Sequence, residues 1–468
     1  MKDFLPPQKL LFWFIGALFS VSIIPFLWLA FYNHPSADDY ICTIPAMKWG
    51  PITSTIGWYY SWSSRYTAAF LLSINPLVYR WLLGYQLNTW LLLFLLGTGF
   101  FYWFKTTALL PLRNVWVVCL MALSVYVCSV PSVVEAFYYF GGAICYQPAN
   151  AMLLVLISWW INKIPFARWS NLSVVSFFQV LAQGFLLFLI AGSNEMAMMF
   201  GLAITGSVWL YLLVKDRTPH FGMSLLLFAS TFSTGLVLFS PATKYRMQAS
   251  SSLKRTYSEV INNSFSGYLD SLVDWLSNPG FFLLWVFVWW LPVSKKVPLL
   301  ERPYLIALSL ISLFLSFFCF VPSFLGEGMI QGRTANALIF NFLILYMVNV
   351  AFWKQYLENQ NFNPFPVFGK ILFFPLLILM ATSLFFSNNF VQAFNDLKSG
   401  DAREFDLERK MRAELVENNP GDSIWVKPLE HKPKTIFFGD IGIYPEPWYD
   451  NFYAQYHGKK YIHLLPKP

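Results

Sequence analysis

Charge is what this chain has least of. Only 12% of its 468 residues are Asp, Glu, Lys or Arg, about half the share of a soluble domain, and this excludes an ordinary water-soluble fold. Cysteine is scarce too. The five present show neither metal-type nor redox-type spacing. Cys119, Cys128 and Cys319 fall in apolar blocks and read as small core residues, and Cys42 and Cys145, in outer loops where a disulfide is permitted, read as free thiols. Internal repeats and low-complexity tracts are missing, which argues against transporters built from inverted halves. The alternating pattern of a barrel strand is missing as well. No small-residue cleavage site follows the first apolar block, 10–31; Asn33, His34 and Pro35 come next, so the block is expected to be retained as a helix. The net charge of +8 sits mostly in short loops and the tail, so no nucleic-acid partner is expected.

Apolar residues, by contrast, are abundant: 57% hydrophobic and 20% aromatic. They fall in blocks of the length that carries a helix across about 30 Å of hydrocarbon, and backbone groups in lipid must be satisfied within their own segment. Besides the first, blocks centre near 88–105, 115–131, 148–162, 171–191, 196–214, 222–239, 280–293, 303–321, 335–353 and 371–387. One further stretch, 66–84, contains Asn75-Pro76 and Arg80 and makes a poor span. If it does not cross and the N-terminus is inside, the inner loops hold Lys105 and Arg113, Lys163 and Arg168, Lys215 and Arg217, Lys295, Lys296 and Arg302, and Lys354 and Lys370. The outer loops 132–147 and 192–195 then hold no Lys or Arg, a consistent positive-inside arrangement. The expectation is therefore an all-α polytopic membrane protein of about eleven spans with its C-terminus outside. Residues 1–387 form the transmembrane domain, with a first outer loop at 33–86. Residues 388–468 form a small soluble α+β domain, with a charged helix at 401–419 and strand-like runs at 423–428 and 434–439.

This threading gathers polar clusters on the outer face. The first is His34-Pro35-Ser36-Ala37-Asp38-Asp39-Tyr40, and the second runs from Trp58 to Tyr66 through Trp62 and Arg65. A third holds Glu135, Tyr138, Tyr139, Gly141 and Gly142 and extends to Tyr146-Gln147, and a fourth is Gly192-Ser193-Asn194-Glu195. The fifth joins Ser240-Pro241-Ala242-Thr243-Lys244-Tyr245-Arg246 to Gln331-Gly332-Arg333. Adjacent acids after a helix are often a solvated cap, and interfacial aromatics are most often belt residues. Carboxylates at a membrane surface are nevertheless costly unless paired or functional, and adjacent like charges raise one another's pKa unless a cation compensates. Lys244, Arg246 and Arg333 could each be plain surface cations, but arginine forks suit a phosphate. Acids, cations and aromatics at one face together fit an anionic head group on a lipid carrier.

An acidic pair in the loop after a retained first helix resembles the GT-C superfamily of integral-membrane glycosyltransferases. Asp38-Asp39-Tyr40, Trp62-Ser63-Ser64-Arg65, Tyr138-Tyr139-Phe140-Gly141-Gly142, Asn194-Glu195, the 240–246 run and Pro447-Trp448-Tyr449-Asp450-Asn451 together resemble a little-characterised bacterial family within it. The tail has no Trp-Trp-Asp-Tyr-Gly signature, which speaks against an oligosaccharyltransferase.

The resemblance implies interfacial helices in the first outer loop and a polyprenyl-phosphate-linked sugar as donor. It implies a glycan, lipid or protein acceptor, and a cell inner membrane location. Asp38 or Asp39 would be the base in an inverting transfer, with Glu195 assisting. Lys244, Arg246, Arg333 and Arg65 would hold the donor phosphate. Tyr40, Trp62, Tyr138, Tyr139, Asn194 and Gln331 would contact sugar or acceptor. A divalent metal, Mg or Mn, would fall to Asp38, Asp39 and Glu195 if one is used. The rivals are a transporter or flippase of lipid-linked glycan, which wants charges at the bilayer midplane, and a non-catalytic envelope-assembly subunit.

Overall fold

The structure is a computed structural model that describes residues 6–108, 110–162, 174–249, 256–282, 284, 294, 297, 299–326, 328–362, 375, 388–442 and 448–465. Elements are numbered along those residues. The first helix, α1, is Pro6–Leu29. Three short helices follow, α2 (Asp38–Trp49), α3 (Pro51–Ser61) and α4 (Tyr66–Ser73). Then come the long helices α5 (Leu82–Thr107), α6 (Leu112–Ser129), α7 (Phe140–Asn162), α8 (Val174–Ala191), α9 (Glu195–Asp216) and α10 (Phe221–Leu238). Next are α11 (Pro241–Ala249), α12 (Tyr257–Ser277), α13 (Arg302–Phe318), α14 (Val321–Gly326) and α15 (Gly332–Asn359). The tail holds α16 (Asn389–Lys398), α17 (Asp401–Asn418), β1 (Ser423–Val426), α18 (Trp448–Tyr456) and β2 (Tyr461–Leu464).

Among the described residues, 8 helical stretches are long and apolar enough to cross a membrane: α5 to α10, α13 with α14, and α15. The chain is thus a helical, multi-pass membrane protein. Helix α4 has 8 residues, about 12 Å of rise, too short to cross, so the 66–84 stretch does not span as one helix. The spans expected at 280–293 and 371–387 fall largely outside the described residues. Their flanks, however, lie at opposite ends of the bundle. Gly280 approaches the Ser129 hydroxyl at the end of α6, while the Ser294 amide donates to the Thr107 carbonyl at the end of α5 (2.9 Å). Likewise α15 runs away from Gly332, yet Asn389 is back beside α6.

The helix α7 forms the centre. Its residues are buried along most of its length, against α5 and α15. Gly99 of α5 makes a close approach possible, because a Cβ there would meet the Ala151 carbonyl at 3.2 Å; small residues at such crossings let helices pack without a water-driven force. Buried polar groups in this core are satisfied: the Asn150 amide donates to the Gln147 side-chain carbonyl (3.2 Å), which also accepts from the Tyr126 hydroxyl (3.3 Å).

Four hydrogen bonds define one end of the bundle. Gln86 donates to the Phe31 carbonyl (2.8 Å), tying the start of α5 to the end of α1. The Thr67 amide donates to the Gly192 carbonyl (2.9 Å), seating α4 on the α8–α9 turn. Asn336 donates to the Ser132 carbonyl (2.7 Å), tying α15 to the α6–α7 connection, and Asn389 donates to the Val130 carbonyl (2.7 Å). The opposite end carries Lys105, Arg113, Lys215, Arg217 and Arg302 at helix termini. There Lys105 lies over Phe101, Arg113 over Trp13 and Lys215 over Tyr211, as cations do when their stems run along apolar surface.

Two expectations are corrected. The polar run 140–147 is the first two turns of α7 and not a loop; Gly141 and Gly142 fit under Tyr139 and the Glu135 carbonyl, where added Cβ atoms would be crowded. The run 434–439 is a turn and not a strand. The partner of β1 is β2, in parallel, pairing Ser423 with Tyr461 and Val426 with Leu464, with α18 on the connection between them. The charged helix expected at 401–419 is α17. The tail also packs on the bundle: Ala37, Tyr40 and Tyr139 share an apolar cluster with Val416, Ile424 and Tyr453.

Candidate functional site

The site grows from the segment between α1 and α2. Ala37 precedes the acidic pair with φ 46° and ψ −122°, a conformation natural to glycine and costing other residues about 1–3 kcal/mol. The tail holds this segment in place. Arg409 donates to the Pro35 carbonyl (2.7 Å) and to the Tyr40 hydroxyl (3.2 Å). His34 pairs with Asp406 at 2.8 Å; burial drops the His34 pKa to about 4, so a neutral ring donates to the carboxylate.

The two acids then meet different surroundings. Asp39 is fully buried. Its carboxylate accepts from the Gly141 amide (2.7 Å), the Ser36 amide (2.9 Å) and the Tyr85 hydroxyl (2.7 Å). Burial pushes its pKa up to about 7, against the pull of those hydrogen bonds. A protonated form is also satisfied there, since the Tyr85 hydroxyl can accept from it while donating to the Tyr138 carbonyl (3.2 Å). Asp38 keeps 40% of its side chain exposed and faces Arg333 at 3.9 Å. Its backbone amide donates to the Tyr139 hydroxyl (3.3 Å), and the Tyr139 ring stacks on Phe438 of the tail at 3.8 Å.

Arg333 sits in the first turn of α15. The Glu135 carboxylate accepts its backbone N–H (3.1 Å), an anion at a helix N-terminus where the dipole favours it. A Cβ at Gly332 would crowd Glu135 Oε1 and the Ser132 Cβ, so a larger residue there would displace the Glu135 carboxylate. From α4's entry, Arg65 reaches Glu195 at 2.6 Å, and its Nε is buried without a hydrogen-bond partner among the described residues. Glu195 opens α9, positioned by Asn194, which accepts from the Ala197 amide (2.8 Å) and donates to the Cys145 carbonyl (2.9 Å). Arg246 of α11 stands 3.9 Å from Glu195 and over the Trp62 ring. These groups converge: Arg333 is within electrostatic reach of Asp38, Arg65, Tyr139 and Tyr146, and Cys145 within reach of Asp38, Arg65, Glu195 and Arg333.

Of the expected residues, Asp38, Arg65, Glu195, Arg246, Arg333 and Trp62 therefore gather at the start of α7. Others lie elsewhere. Tyr40 is packed between Tyr453 and Tyr456 of the tail, and Tyr138 points into the bundle, donating to the Phe26 carbonyl (2.7 Å), so neither offers a free face to a sugar. Tyr139 and Asn194 act as supports for Asp38 and Glu195. Lys244 is exposed on α11, with no ion pair to the cluster among the described residues, and Gln331 is half-buried before α15. Tyr146 and Glu135 belong to the site without having been expected as ligands; both were in a recognised polar run, but only the helical start of α7 and the clamp on Gly332 show their roles. The carboxylates do not form a metal cage among the described residues: Asp39 is filled by three donors and Glu195 is paired with Arg65.

The arrangement offers a part-exposed carboxylate, Asp38, facing Arg333, with Arg65, Tyr146 and Cys145 within electrostatic reach of that arginine or that acid. It can accept a proton and hold an anion within the same small space. Compared with protein-family models, with curated proteins and with solved structures, the chain finds no match.

Proposed function

We propose that this chain is an integral-membrane glycosyltransferase that moves a sugar from a polyprenyl-phosphate donor to an acceptor hydroxyl on the outer face of a cell membrane. The observation that carries the reading is the open pairing of Asp38 with Arg333, beside Arg65 and Arg246. With the N-terminus inside, the cationic helix ends face the cytoplasm, as the positive-inside rule requires, and the acid–arginine cluster faces out.

In this reading Asp38 is the general base. It takes the proton of the acceptor hydroxyl as that oxygen bonds to the anomeric carbon and the bond from carbon to the phosphate oxygen breaks. The lipid phosphate leaves with the electron pair, and the anomeric centre inverts. Arg333, Arg246 and Arg65 neutralise the charge that develops on the leaving phosphate; fixed donors aimed at developing charge are usually the largest catalytic contribution. Glu195 keeps Arg65 and Arg246 together. Asp39 acts as a positioning residue, anchoring the α2 start to Gly141 so that Asp38 faces Arg333. The long apolar helices carry their charges at their ends, which favours surface chemistry over passage through the bilayer.

The test is glycan transfer by membranes carrying Asp38→Asn. Loss of a positioned base costs about 10²–10⁴-fold in rate, and Asp38→Asn is expected to lose at least 100-fold with its folding unchanged. Full transfer activity would remove Asp38 from the role of base.

A further inference from the structure

A second polar feature lies at the same end of the bundle, outside the acid–arginine cluster. It is a cavity of about 700 Å³ between the end of α6, Asn278 after α12, the face of α16 and the tail, a volume typical of ligand sites. Side-chain amides dominate its walls: Asn278, Asn389, Gln392 and Asn395. Asn389 spends its N–H groups on the Val127 and Val130 carbonyls (3.0 and 2.7 Å), leaving its oxygen as an acceptor. Asn278 accepts from the Gly280 amide (2.8 Å), leaving its NH₂ as a donor. Gln392 and Asn395, one turn apart on α16, make no side-chain hydrogen bond among the described residues and offer both a donor and an acceptor.

The rest of the lining narrows the ligand. Among the described lining, Asp396 and Asp401 are balanced by Lys432 and Lys434, so those residues carry no formal net charge. The described lining has no arginine and two carboxylates, which does not suit a phosphate. The described apolar lining is limited to Cys128, Val130 and Val391, which does not favour an acyl chain, and the described lining has no aromatic ring for a nucleobase. What remains is an uncharged molecule with many hydroxyls, each able to donate and accept. Buried amides and carboxylates discriminate strongly for such groups, because they are left unpaired when the hydroxyl is missing. The cavity and the cluster are also neighbours along the chain. Its wall at Cys128–Val130 continues directly into Ser132, which pairs with Asn336, and Glu135, which holds Arg333.

We propose that this cleft binds an uncharged, hydroxyl-rich saccharide and that the saccharide is the acceptor of the transferred sugar; the acceptor role rests on the glycosyl-transfer reading, whereas the saccharide site itself does not. The experiment uses the full-length protein in lipid nanodiscs and methyl glycosides of hexoses, pentoses and N-acetylhexosamines with their disaccharides, followed by saturation-transfer difference NMR. At least one glycoside is expected to bind. Gln392→Ala and Asn395→Ala, on the open side of α16, are each expected to weaken it roughly tenfold. No binding by any glycoside, or binding unchanged in both cleft variants, would overturn the proposal. Transfer assays separate the two claims. If the cleft variants lose the glycoside while membranes carrying the parent protein transfer no sugar, the saccharide site stands and the transferase reading falls. If Asp38→Asn abolishes transfer while both cleft variants keep the parent KM for acceptor and bind glycosides normally, the cleft proposal falls.

Discussion

Two groups of charges lie side by side at one end of this bundle, and they are built differently. Under the tail, several charges are closed. Arg412 and Asp440 are both buried and doubly bonded to each other, and Asp440 also accepts the Leu429 amide. His34 meets Asp406 at 2.8 Å, and Asp39 is surrounded by three donors. Beside them, the cluster around the start of α7 is loose. Asp38 stands 3.9 Å from Arg333, and Arg65, though paired with Glu195 at 2.6 Å, keeps an Nε without a hydrogen-bond partner among the described residues. Closed pairs fix a backbone and leave nothing for a ligand. Open ones keep unused hydrogen-bonding capacity, as a site that awaits an anion and a hydroxyl should. The neighbours Asp38 and Asp39 divide along this boundary, one residue serving each group.

The comparison can be broken from either side. The largest stability effect is expected at Asp440→Ala, which leaves the Arg412 guanidinium buried and unpaired. Such a loss costs about 3–5 kcal/mol, and denaturant or thermal unfolding in detergent should show it; an unchanged midpoint would mean the tail is not held by this pair. Asp39→Asn comes next. An amide cannot accept from both the Ser36 and Gly141 amides and the Tyr85 hydroxyl, and one donor left unsatisfied costs about 1–3 kcal/mol.

The Asp39 substitution also has a pH signature. The folded pKa of about 7 lies above the ordinary aspartate value of 3.8, so between these values the folded state binds a proton that the unfolded chain releases. The contribution of Asp39 to stability is therefore full at low pH and is lost as pH rises through about 7. The stability difference between the parent and Asp39→Asn should narrow over that window; a difference independent of pH would mean that the Asp39 pKa is not raised. The smallest effect is expected at Ala37→Gly. Glycine relieves the positive φ, while its greater unfolded freedom offsets part of the gain, leaving a change of less than about 1 kcal/mol with some loss of transfer rate as Asp38 loosens.

Much of the fold was legible in the sequence, for a physical reason. A lipid environment demands long apolar helices and tolerates few charges, so α5 to α10, α13 and α15 stand out by composition, whereas α12 did not. The break at Asn75-Pro76 marked the stretch that does not form one long helix. The start of α7 was not legible, because Tyr146 and Gln147 look like loop residues until their partners are known; their hydrogen bonds and neighbours lie across the bundle. The 434–439 run has strand-like composition, but its neighbours demanded a turn, and the real partner of β1 lies almost forty residues downstream. At the site, Asp38, Arg65, Glu195, Arg246 and Arg333 could be picked out as polar residues at apolar borders. The division of labour between Asp38 and Asp39 could not, since it depends on Tyr85 and Gly141 and on a tail more than 350 residues away. The burial of Tyr40 beneath that tail was hidden for the same reason.

The central claim is that the open cluster holds a lipid-linked phosphate. Binding of a polyprenyl phosphate to the purified full-length protein, read by native mass spectrometry, tests it most directly. The account predicts that the parent and Asp38→Asn retain the lipid, whereas Arg333→Gln, which removes one charge-assisted phosphate contact, retains about tenfold less. Equal retention by the parent and Arg333→Gln would contradict it.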